Sequence, residues 1–477
     1  MLPFNASGEV VALRIRQAAA TLAGKTAQQL SQRLHAGGGT TLPGLVARRV
    51  APHVLQDVVQ ALPQGVILVT GTNGKTTTAR MVAAILRADG RRVLHNRAGA
   101  NLLSGLTTTA VANTDLWGRP QADIALFETD EAHVPAAVIE TQPRIVLVLN
   151  LFRDQLDRYG EVDTIARRWR AAFASLPGSS TVVLNADDPA VANLGAGLAC
   201  KVVYYGLEDV SHGIGAARHT ADSAFCSRCG TALDYAPNFY GHMGHWHCPN
   251  CGNTRPATDV ALQHLRLAGT AASQLTIREP HGGFDLTLPL PGLYNAINAT
   301  AAIATALQLP VAPVKMRDAL EGFAAAFGRI ERISAGAHEI LMALIKNPVG
   351  ASETVRMVVG TAEAAQGLHL LIAINDRIAD GTDVSWLWDA DWEQLGGHVA
   401  HAIVTGTRAT DMAVRLKYAG VPPDHMETIA DGATALDRAL AELGAGDTLY
   451  LLPTYTAMLD LRAELVERGF ARPFWAD

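Results

Sequence analysis

No apolar run in this 477-residue chain approaches the ~20 residues that a membrane-spanning helix needs. Nor does the start, MLPFNASGEVVALRIRQ, hold the apolar stretch of a secretory leader, so a cytoplasmic protein is expected. An excess of positive charge is missing as well: 39 Lys and Arg face 45 Asp and Glu, for a net charge of -6. A protein that grips nucleic acid usually shows a basic face, so that class is disfavoured. Cysteine is scarce, at five residues, which excludes a disulfide framework. Four of the five are paired as C-x-x-C. Cys200 stands alone after an alanine-rich stretch and reads as a small buried apolar residue. Internal repeats and low-complexity tracts are also lacking. What remains is an ordinary globular composition, 49% hydrophobic and 18% charged, in a chain too long for one core.

The pattern along the chain is that of an α/β protein. Residues 9–35 read as a helix of mixed polarity, closed by AGGGTTLPG at 36–44. Short apolar runs then alternate with helical segments. GVILVTG (65–71), ADIALFETDE (122–131), RIVLVLNLFRDQLDR (144–158) and STVVLNADDP (180–189) each pass from apolar to polar. Continuous apolar strands of this kind form parallel sheets covered on both faces. Such sheets bind ligands beyond the carboxyl ends of their strands, where Lys75, Glu128, Asn150 and Asp187 stand. YNAINATAAIATAL (294–307) reads as an alanine-rich helix. HLLIAIND (369–376), HAIVTGT (401–407) and DTLYLLPTYTAMLDLRAEL (447–465) repeat the strand–loop–helix form, so a second, smaller α/β unit is expected to begin near residue 323.

Two motifs point to chemistry. In GTNGKTTT (71–78), Gly71 and Gly74 let the backbone turn several N–H groups toward one anion, and the following helix N-terminus adds its positive end. Lys75 supplies a point charge for phosphate and Thr76 a hydroxyl for Mg²⁺. Val69 stands where the usual phosphate loop has its first glycine, so this is a shortened variant. The second motif is CSRCGTALDYAPNFYGHMGHWHCPNCG (226–252). Cys226 and Cys229 form one C-x-x-C pair and Cys248 and Cys251 the other, with eighteen residues between. Four thiolates can fill a tetrahedral Zn²⁺ shell and leave no place for a catalytic water, which makes the site structural. One of His242, His245 and His247 replacing a cysteine is the alternative.

GTNGKTT, the Glu128 strand end, NADDP, YNAINATAA and FGRIERI together resemble the Mur ligase superfamily, ATP-dependent enzymes that join an amine to a carboxylate through an acyl phosphate. Within it, the cysteine ribbon, GGGTTLPG, NLFRDQLDRYGE, KNPVGA and NDRIADGTDVSWLWD are similar to the MurT family, whose members work with a GatD-type glutaminase on the lipid II stem peptide. The resemblance implies an N-terminal helical region (1–55) and a central ATPase domain (56–322) with a zinc-ribbon insertion at about 222–256. It further implies a C-terminal Rossmann-like α/β domain (323–477) and a place at the inner membrane face through the lipid-linked substrate. ATP, Mg²⁺ and structural Zn²⁺ are the implied cofactors. By the same resemblance Gly71, Thr72, Asn73, Gly74, Lys75, Thr76 and Thr77 would cradle ATP. Thr76 and Glu128 would hold Mg²⁺, Asn295 would meet adenine, and Arg329 would meet phosphate or ribose. Asn101, Thr107 and Thr108 would line the substrate side. Plainer readings exist: Glu128 as an ordinary strand-end carboxylate, Asn295 as a helix cap, Arg329 as a surface partner of Glu331 or Asp318.

Two departures separate the chain from ligases that add a whole amino acid. Gln155 stands in a loop where those enzymes carry a histidine, and no lysine lies between Lys75 and Lys201 to serve as their carbamylated metal support. Asp157 is a guess as a stand-in. An amino-acid-adding or folylpolyglutamate-type ligase is the competing enzyme reading; a zinc-ribbon NTPase acting on nucleic acid or as a scaffold is the non-ligase one. The loop NDRIADGTDVSWLWDADWE (375–393) concentrates six acids with Trp386, Trp388 and Trp392. Read plainly, its tryptophans are core beneath a solvated loop. The resemblance makes it a partner surface in which Asp389, or else Asp383, completes a Cys–His pair of the glutaminase.

Overall fold

The structure, a computed structural model, describes residues 6–33, 41–96, 99–153, 162–214, 222–323, 330–361, 367–444 and 446–472. Helices Ala6–Arg33, Leu42–Val50 and Val54–Gln60 lead into a nine-stranded sheet. Its strands are β1 (Val66–Thr70), β2 (Val93–His95), β3 (Ile124–Glu128), β4 (Ile145–Val148), β5 (Thr181–Asn185) and β6 (Lys201–Leu207), joined later by β9 (Val260–Ala268), β10 (Ala272–Glu279) and β11 (Gly282–Leu288). The separate hairpin β7 (Asp234–Tyr240) and β8 (Met243–His247) belongs to the cysteine insertion. The sheet order is β11-β10-β9-β6-β5-β4-β1-β3-β2.

β1 lies near the centre and all five of its residues are buried. Ile67 and Val69 face a core shared with helices Lys75–Ala88 and Leu293–Ala306; Val66 and Leu68 face the core under Val54–Gln60 and Val162–Ala174. Burial on both faces is why the strand reads as a continuous apolar run. β1 pairs in parallel with β3 and β4, with Val69 opposite Glu128 and Thr70 opposite Val148. Glu128, Asn150 and the loop after Thr70 therefore leave the sheet side by side. The expected parallel sheet is extended by an antiparallel portion, since β10 pairs antiparallel with both β9 and β11. β10 and β11 alternate more and less buried residues, as one-sided strands do, and so lack the apolar signature of the central ones.

A second sheet follows, in the order β12-β13-β17-β14-β15-β16. It comprises β12 (Ile330–Ala335), β13 (His338–Ala343), β14 (Leu368–Ala373), β15 (Val399–Thr405), β16 (Met426–Thr428) and β17 (Thr448–Pro453), all parallel except the β12–β13 hairpin. Helices Pro348–Val359 and Ala409–Tyr418 cover one face, and Gly432–Ala441 and Tyr455–Glu467 the other. The acidic loop leaves the carboxyl end of β14. Its tryptophans divide: Trp392 is fully buried in the core, whereas Trp388 is 52% exposed. No helix among the described residues is long and apolar enough to cross a membrane.

The cysteine insertion is fastened to the end of β5. Trp246 Nε1 donates to the Ala186 carbonyl (3.0 Å) and Gly244 N to the Asp187 carbonyl (2.9 Å). Asp187 reads from sequence as a strand-end candidate for the site. It is instead fully buried, accepting from Arg255 Nε at 2.8 Å and Leu207 N at 2.8 Å. Burial pushes its carboxyl upward, and Arg255 opposes that shift. A buried charge left without its partner costs far more than a lost surface pair. Arg255→Met is therefore expected to destabilise the protein by about 3–5 kcal/mol in urea denaturation. Arg438→Met, which breaks an exposed pair with Glu427, should leave the midpoint where it is. Equal effects from the two variants would contradict this assignment.

Candidate active site

The loop Gly71–Gly74 connects β1 to the helix Lys75–Ala88. Gly71 has φ +137° and Gly74 φ +85°, and both are closely covered. A methyl group on Gly71 would sit 2.9 Å from Leu149 Cβ, and one on Gly74 2.4 Å from Asn298 Oδ1. The helix begins without a side-chain cap and without an acid in its first turn, which leaves its positive end to an external anion. Around it, Thr72 Oγ1 exchanges hydrogen bonds with the backbone of Phe152 (both 3.0 Å). Asn73 N donates to Asn150 Oδ1 (2.8 Å), and Asn150 Nδ2 returns a bond to the Asn73 carbonyl (3.1 Å). Asn150, at the end of β4, thus sets the shape of the loop.

The loop's reactive groups lie together. Thr76 Oγ1 is 3.0 Å from both carboxylate oxygens of Glu128, so a hydroxyl and a carboxylate offer hard oxygen ligands of the kind Mg²⁺ prefers. Glu128 is itself held by Asn96, whose Oδ1 accepts from Glu128 N (2.8 Å) and whose Nδ2 donates to its carbonyl (2.9 Å). Lys75 Nζ donates to the Gly71 carbonyl (2.6 Å) and to Glu131 Oε2 (3.1 Å), in a pair whose side chains are only 10% and 5% exposed. Glu131 is missed by the sequence reading, although ETDE contains it. Its backbone is anchored by Trp169 Nε1, which donates to the Glu131 carbonyl at 2.9 Å.

From the loop a pocket runs between the two sheets' domains. Asn73, Gly74 and Thr77 line it from the loop side, with Asn298 against Gly74; Asn295 and Tyr240 line it as well. Asn295 lines this pocket from inside the first turn of its helix, where its Nδ2 donates to the Pro291 carbonyl (2.7 Å); it is not the helix cap, a position that Gly292 occupies. The C-terminal domain contributes the opposite wall through Lys346, Val349 and Glu353. Asn347 caps the helix Pro348–Val359, accepting from Gly350 N (2.8 Å), and its Nδ2 donates to Asn73 Oδ1 (2.9 Å). Asn before Pro is a recognisable helix start; that it touches the phosphate loop is visible only in three dimensions. Burial pushes the Glu353 carboxyl up to about 7, with Arg356 opposing and Asp391 adding to the shift.

Thr107 and Thr108 are buried in helix Leu103–Ala112, where their hydroxyls donate to Leu103 (2.7 Å) and Ser104 (2.9 Å) carbonyls. Thr108 Oγ1 also accepts from Gly44 N (2.8 Å), joining this helix to the N-terminal region. Asn101 lies at the amino end of that helix, and its carbonyl accepts from Asp130 N (3.1 Å). Arg329, Gln155 and Asp157 lie outside the described residues. In the acidic loop, Asp383 Oδ1 accepts from Ser385 N (2.8 Å), a bond that holds its carboxyl below the usual range. Asp389 is exposed. Arg153, held charged first by its bond to Asp222, also feels the Asp389 carboxylate.

The four cysteine sulfurs lie within 4.8 Å of one another, with Cys226–Cys251 at 3.6 Å and Cys229–Cys248 at 3.4 Å. Tetrahedral Zn²⁺ would hold such sulfurs about 3.8 Å apart, so the set fits. Backbone amides of Arg228 and Cys251 approach Cys226 Sγ (3.4 Å) and Cys248 Sγ (3.5 Å), and Gly230 (φ +72°) and Gly252 (φ +69°) turn the chain after each pair. None of the three histidines weighed as ligands joins the cluster. His242 faces Asp188 at 3.2 Å, His245 bonds the Leu207 carbonyl and His247 lies 3.5 Å from Asp234.

Two outcomes follow from this geometry. Glu128→Gln should lower ATP turnover by about 10²–10³-fold, read as phosphate release; a change within about threefold would contradict its role. Glu353 gives a pH signature. Its ordinary value is 4.5, so between there and about 7 the folded protein holds a proton that the unfolded chain has lost. Stability falls as pH rises through that window. From pH 5 to 8 the wild type should lose on the order of 2–3 kcal/mol relative to Glu353→Gln. Parallel stability curves for the two proteins would contradict it.

Comparison with known proteins agrees with this arrangement. Residues 69–240 match the Mur ligase middle domain, and residues 344–458 match the MurT ligase C-terminal domain. The chain is 32% identical over 455 residues to the lipid II isoglutaminyl synthase (glutamine-hydrolyzing) subunit MurT of Streptococcus pneumoniae (strain ATCC BAA-255 / R6), covering 94% of this chain and 97% of that protein. The same subunit of Staphylococcus aureus (strain N315) is 32% identical over 404 residues, covering 84% and 87%. Among solved structures, MurF from Acinetobacter baumannii superposes with a TM-score of 0.65 at 19% identity, over 89% of this chain and 81% of that one, a likeness of fold. With relatives of this identity along nearly its whole length, the chain belongs to the MurT family of the Mur ligase superfamily.

Proposed function

We propose that this chain is the ATP-dependent ligase subunit of a lipid II isoglutaminyl synthase. It would convert the α-carboxyl of D-glutamate in the stem peptide to the amide of D-isoglutamine, at the cytoplasmic membrane face where that substrate is anchored. The observation that carries the reading is the meeting of Lys75, Thr76 and Glu128 at one uncapped helix N-terminus, in a chain that matches MurT relatives end to end. The domain division at 1–55, 56–322 and 323–477 is part of the same proposal, and the two separate sheets support it.

The chemistry needs activation, because a carboxylate is a poor electrophile. A carboxylate oxygen attacks the γ-phosphorus of ATP, ADP leaves, and an acyl phosphate forms. Ammonia then attacks the carbonyl carbon, the C–O bond to phosphate breaks, and inorganic phosphate departs as the amide nitrogen loses a proton. Catalysis of the first step is mostly positioning and charge neutralisation. The backbone of 71–76 cradles the phosphates and Lys75 turns its ammonium to the γ-phosphate. Mg²⁺, held by Thr76 and Glu128, would supply charge to the β- and γ-oxygens. The cysteine cluster would hold Zn²⁺ in a structural role.

Ammonia is supplied by a GatD-type glutaminase partner. Both aspartates are exposed, but Asp383 Oδ1 accepts from Ser385 N, whereas Asp389 stands next to the half-exposed Trp388. This favours Asp389 as the carboxylate offered to the partner's Cys–His pair, where it would fix the histidine tautomer.

The test is amidation of lipid II by the purified chain with ATP and Mg²⁺. Ammonium alone should support product, and glutamine only when the partner is added. ATP hydrolysis stimulated by a free amino acid, with no amide from either nitrogen source, would replace this reading with that of an amino-acid-adding ligase.

A further inference from the structure

The ligase chemistry leaves the cysteine hairpin without a task, yet its far end reaches the active site. At one end of β7–β8 the cysteines pack with Leu233 and Trp246 against Ala192. At the other, the turn Tyr240–His242 enters the pocket, where Tyr240 lies beside the wall formed by Asn295 and Glu353. Phe239, Tyr240 and Met243 belong to the main core. Gly241 has φ +52°, and a methyl there would lie 3.1 Å from Phe152 Cε1 and 3.6 Å from Val349 Cγ2. The turn is thus wedged between two segments. Phe152 is bonded to Thr72 of the phosphate loop, and Val349 opens the C-terminal helix Pro348–Val359.

Aromatic and ionic contacts fix the wedge. The Phe152 ring packs on His242 at 4.4 Å and on Tyr240 at 6.3 Å between ring centres. Arg356, on the same C-terminal helix, donates through Nη1 to the Phe239 carbonyl (3.0 Å) and through Nη2 to the His212 carbonyl (3.2 Å). The guanidinium therefore ties that helix to the hairpin through the Phe239 carbonyl and to the segment after β6 through the His212 carbonyl, while Asn347 at the helix start holds Asn73. A rigid element that contacts the phosphate loop, the pocket wall and the second domain at once can set their relative positions.

We infer that the cysteine hairpin is the back wall of the nucleotide pocket and the seat on which the C-terminal domain closes, with Tyr240 and Arg356 as positioning residues. This rests on the ATP-ligase reading above and adds a role for the insertion. Metal at the cysteines then acts on nucleotide affinity and on domain closure, not on the amide-forming step.

The experiment uses the full chain and a fluorescent ATP analogue. Arg356→Ala and Tyr240→Leu should each weaken the analogue's dissociation constant by about tenfold, the scale of one or two lost contacts, while Tyr240→Phe retains it. In the amidation assay the KM for ATP should rise in the same proportion and the KM for ammonium should stay fixed. Amide exchange adds a readout independent of activity: residues 234–247 and 348–359 should lose protection together in Arg356→Ala, and also when the metal is removed by a chelator. Unchanged nucleotide affinity in both variants, or chelation that loosens the hairpin without weakening nucleotide binding, would overturn the inference. If the wild type binds no ATP analogue, the ligase reading fails. Exchange then still decides the latch, since unaltered protection of both segments in Arg356→Ala overturns it.

Discussion

The organisation of this molecule depends on one electrostatic requirement: a helix N-terminus at Lys75 that has no cap of its own and must be kept open for an anion. Everything around it is arranged to hold the approach to that end. β3 and β4 flank β1, so that Glu128 and Asn150 arrive at the loop from either side. The alanine-rich helix Leu293–Ala306 lies so close that Asn298 leaves no room for a side chain on Gly74. Small residues on that helix allow this approach, which is a physical reason for the run of alanines. Lys75 is meanwhile held by Glu131 and a loop carbonyl, so its charge is not buried without compensation.

The second domain completes the site from the far side of the pocket. Its helix Pro348–Val359 meets three functional regions along a single face and end. Asn347 bonds the phosphate loop, Arg356 bonds the cysteine hairpin, and Ser352 Oγ accepts from Asp391 N (3.0 Å) in the acidic tryptophan loop. A nucleotide at the loop and a partner at the acidic loop would therefore press on the same rigid element. The acidic loop is itself well anchored: Trp392 is core, and Arg415 donates to the Leu387 and Ala390 carbonyls. Asp380 in the same loop accepts from Thr456 N (2.7 Å). This leaves Trp388 and Asp389 displayed on a fixed scaffold, with the Trp388 ring tilted against Tyr418 and beneath the Arg415 guanidinium.

Much of the arrangement is legible in the sequence where the physics is local. A fully buried strand followed by glycines and an uncapped helix announces a phosphate loop, and two C-x-x-C-G knuckles announce four convergent sulfurs. The adjacency of Thr76 and Glu128 also follows from motif order on a parallel sheet. What stays hidden depends on long-range packing. Asp187 sits at a strand end like Glu128, yet it faces Arg255, because only the folded insertion brings the segment after the second cysteine pair back to that strand end. Thr107 and Thr108, which the resemblance implies line the substrate side, have their hydroxyls satisfied within their own helix, which no local pattern announces. Glu131, Glu353 and Asn347 give no local signal of their roles. They matter because separate segments bring Glu131 to Lys75, Asn347 to Asn73 and Glu353 to the pocket wall. The strands β9 to β11 are missed for a different reason: β10 and β11 are half-buried and alternate, and in β9 the apolar run stops after Val260–Leu262.

The central claim is that this fold activates a carboxylate through an acyl phosphate, and oxygen tracing tests it most directly. The substrate's D-glutamate α-carboxylate is labelled with ¹⁸O, amidation is run with ATP and ammonium, and the released inorganic phosphate is analysed by mass spectrometry. The account predicts one labelled oxygen in phosphate for every amide formed, because the carboxylate oxygen that attacks the γ-phosphorus leaves with it. Amide formation with unlabelled phosphate would contradict it.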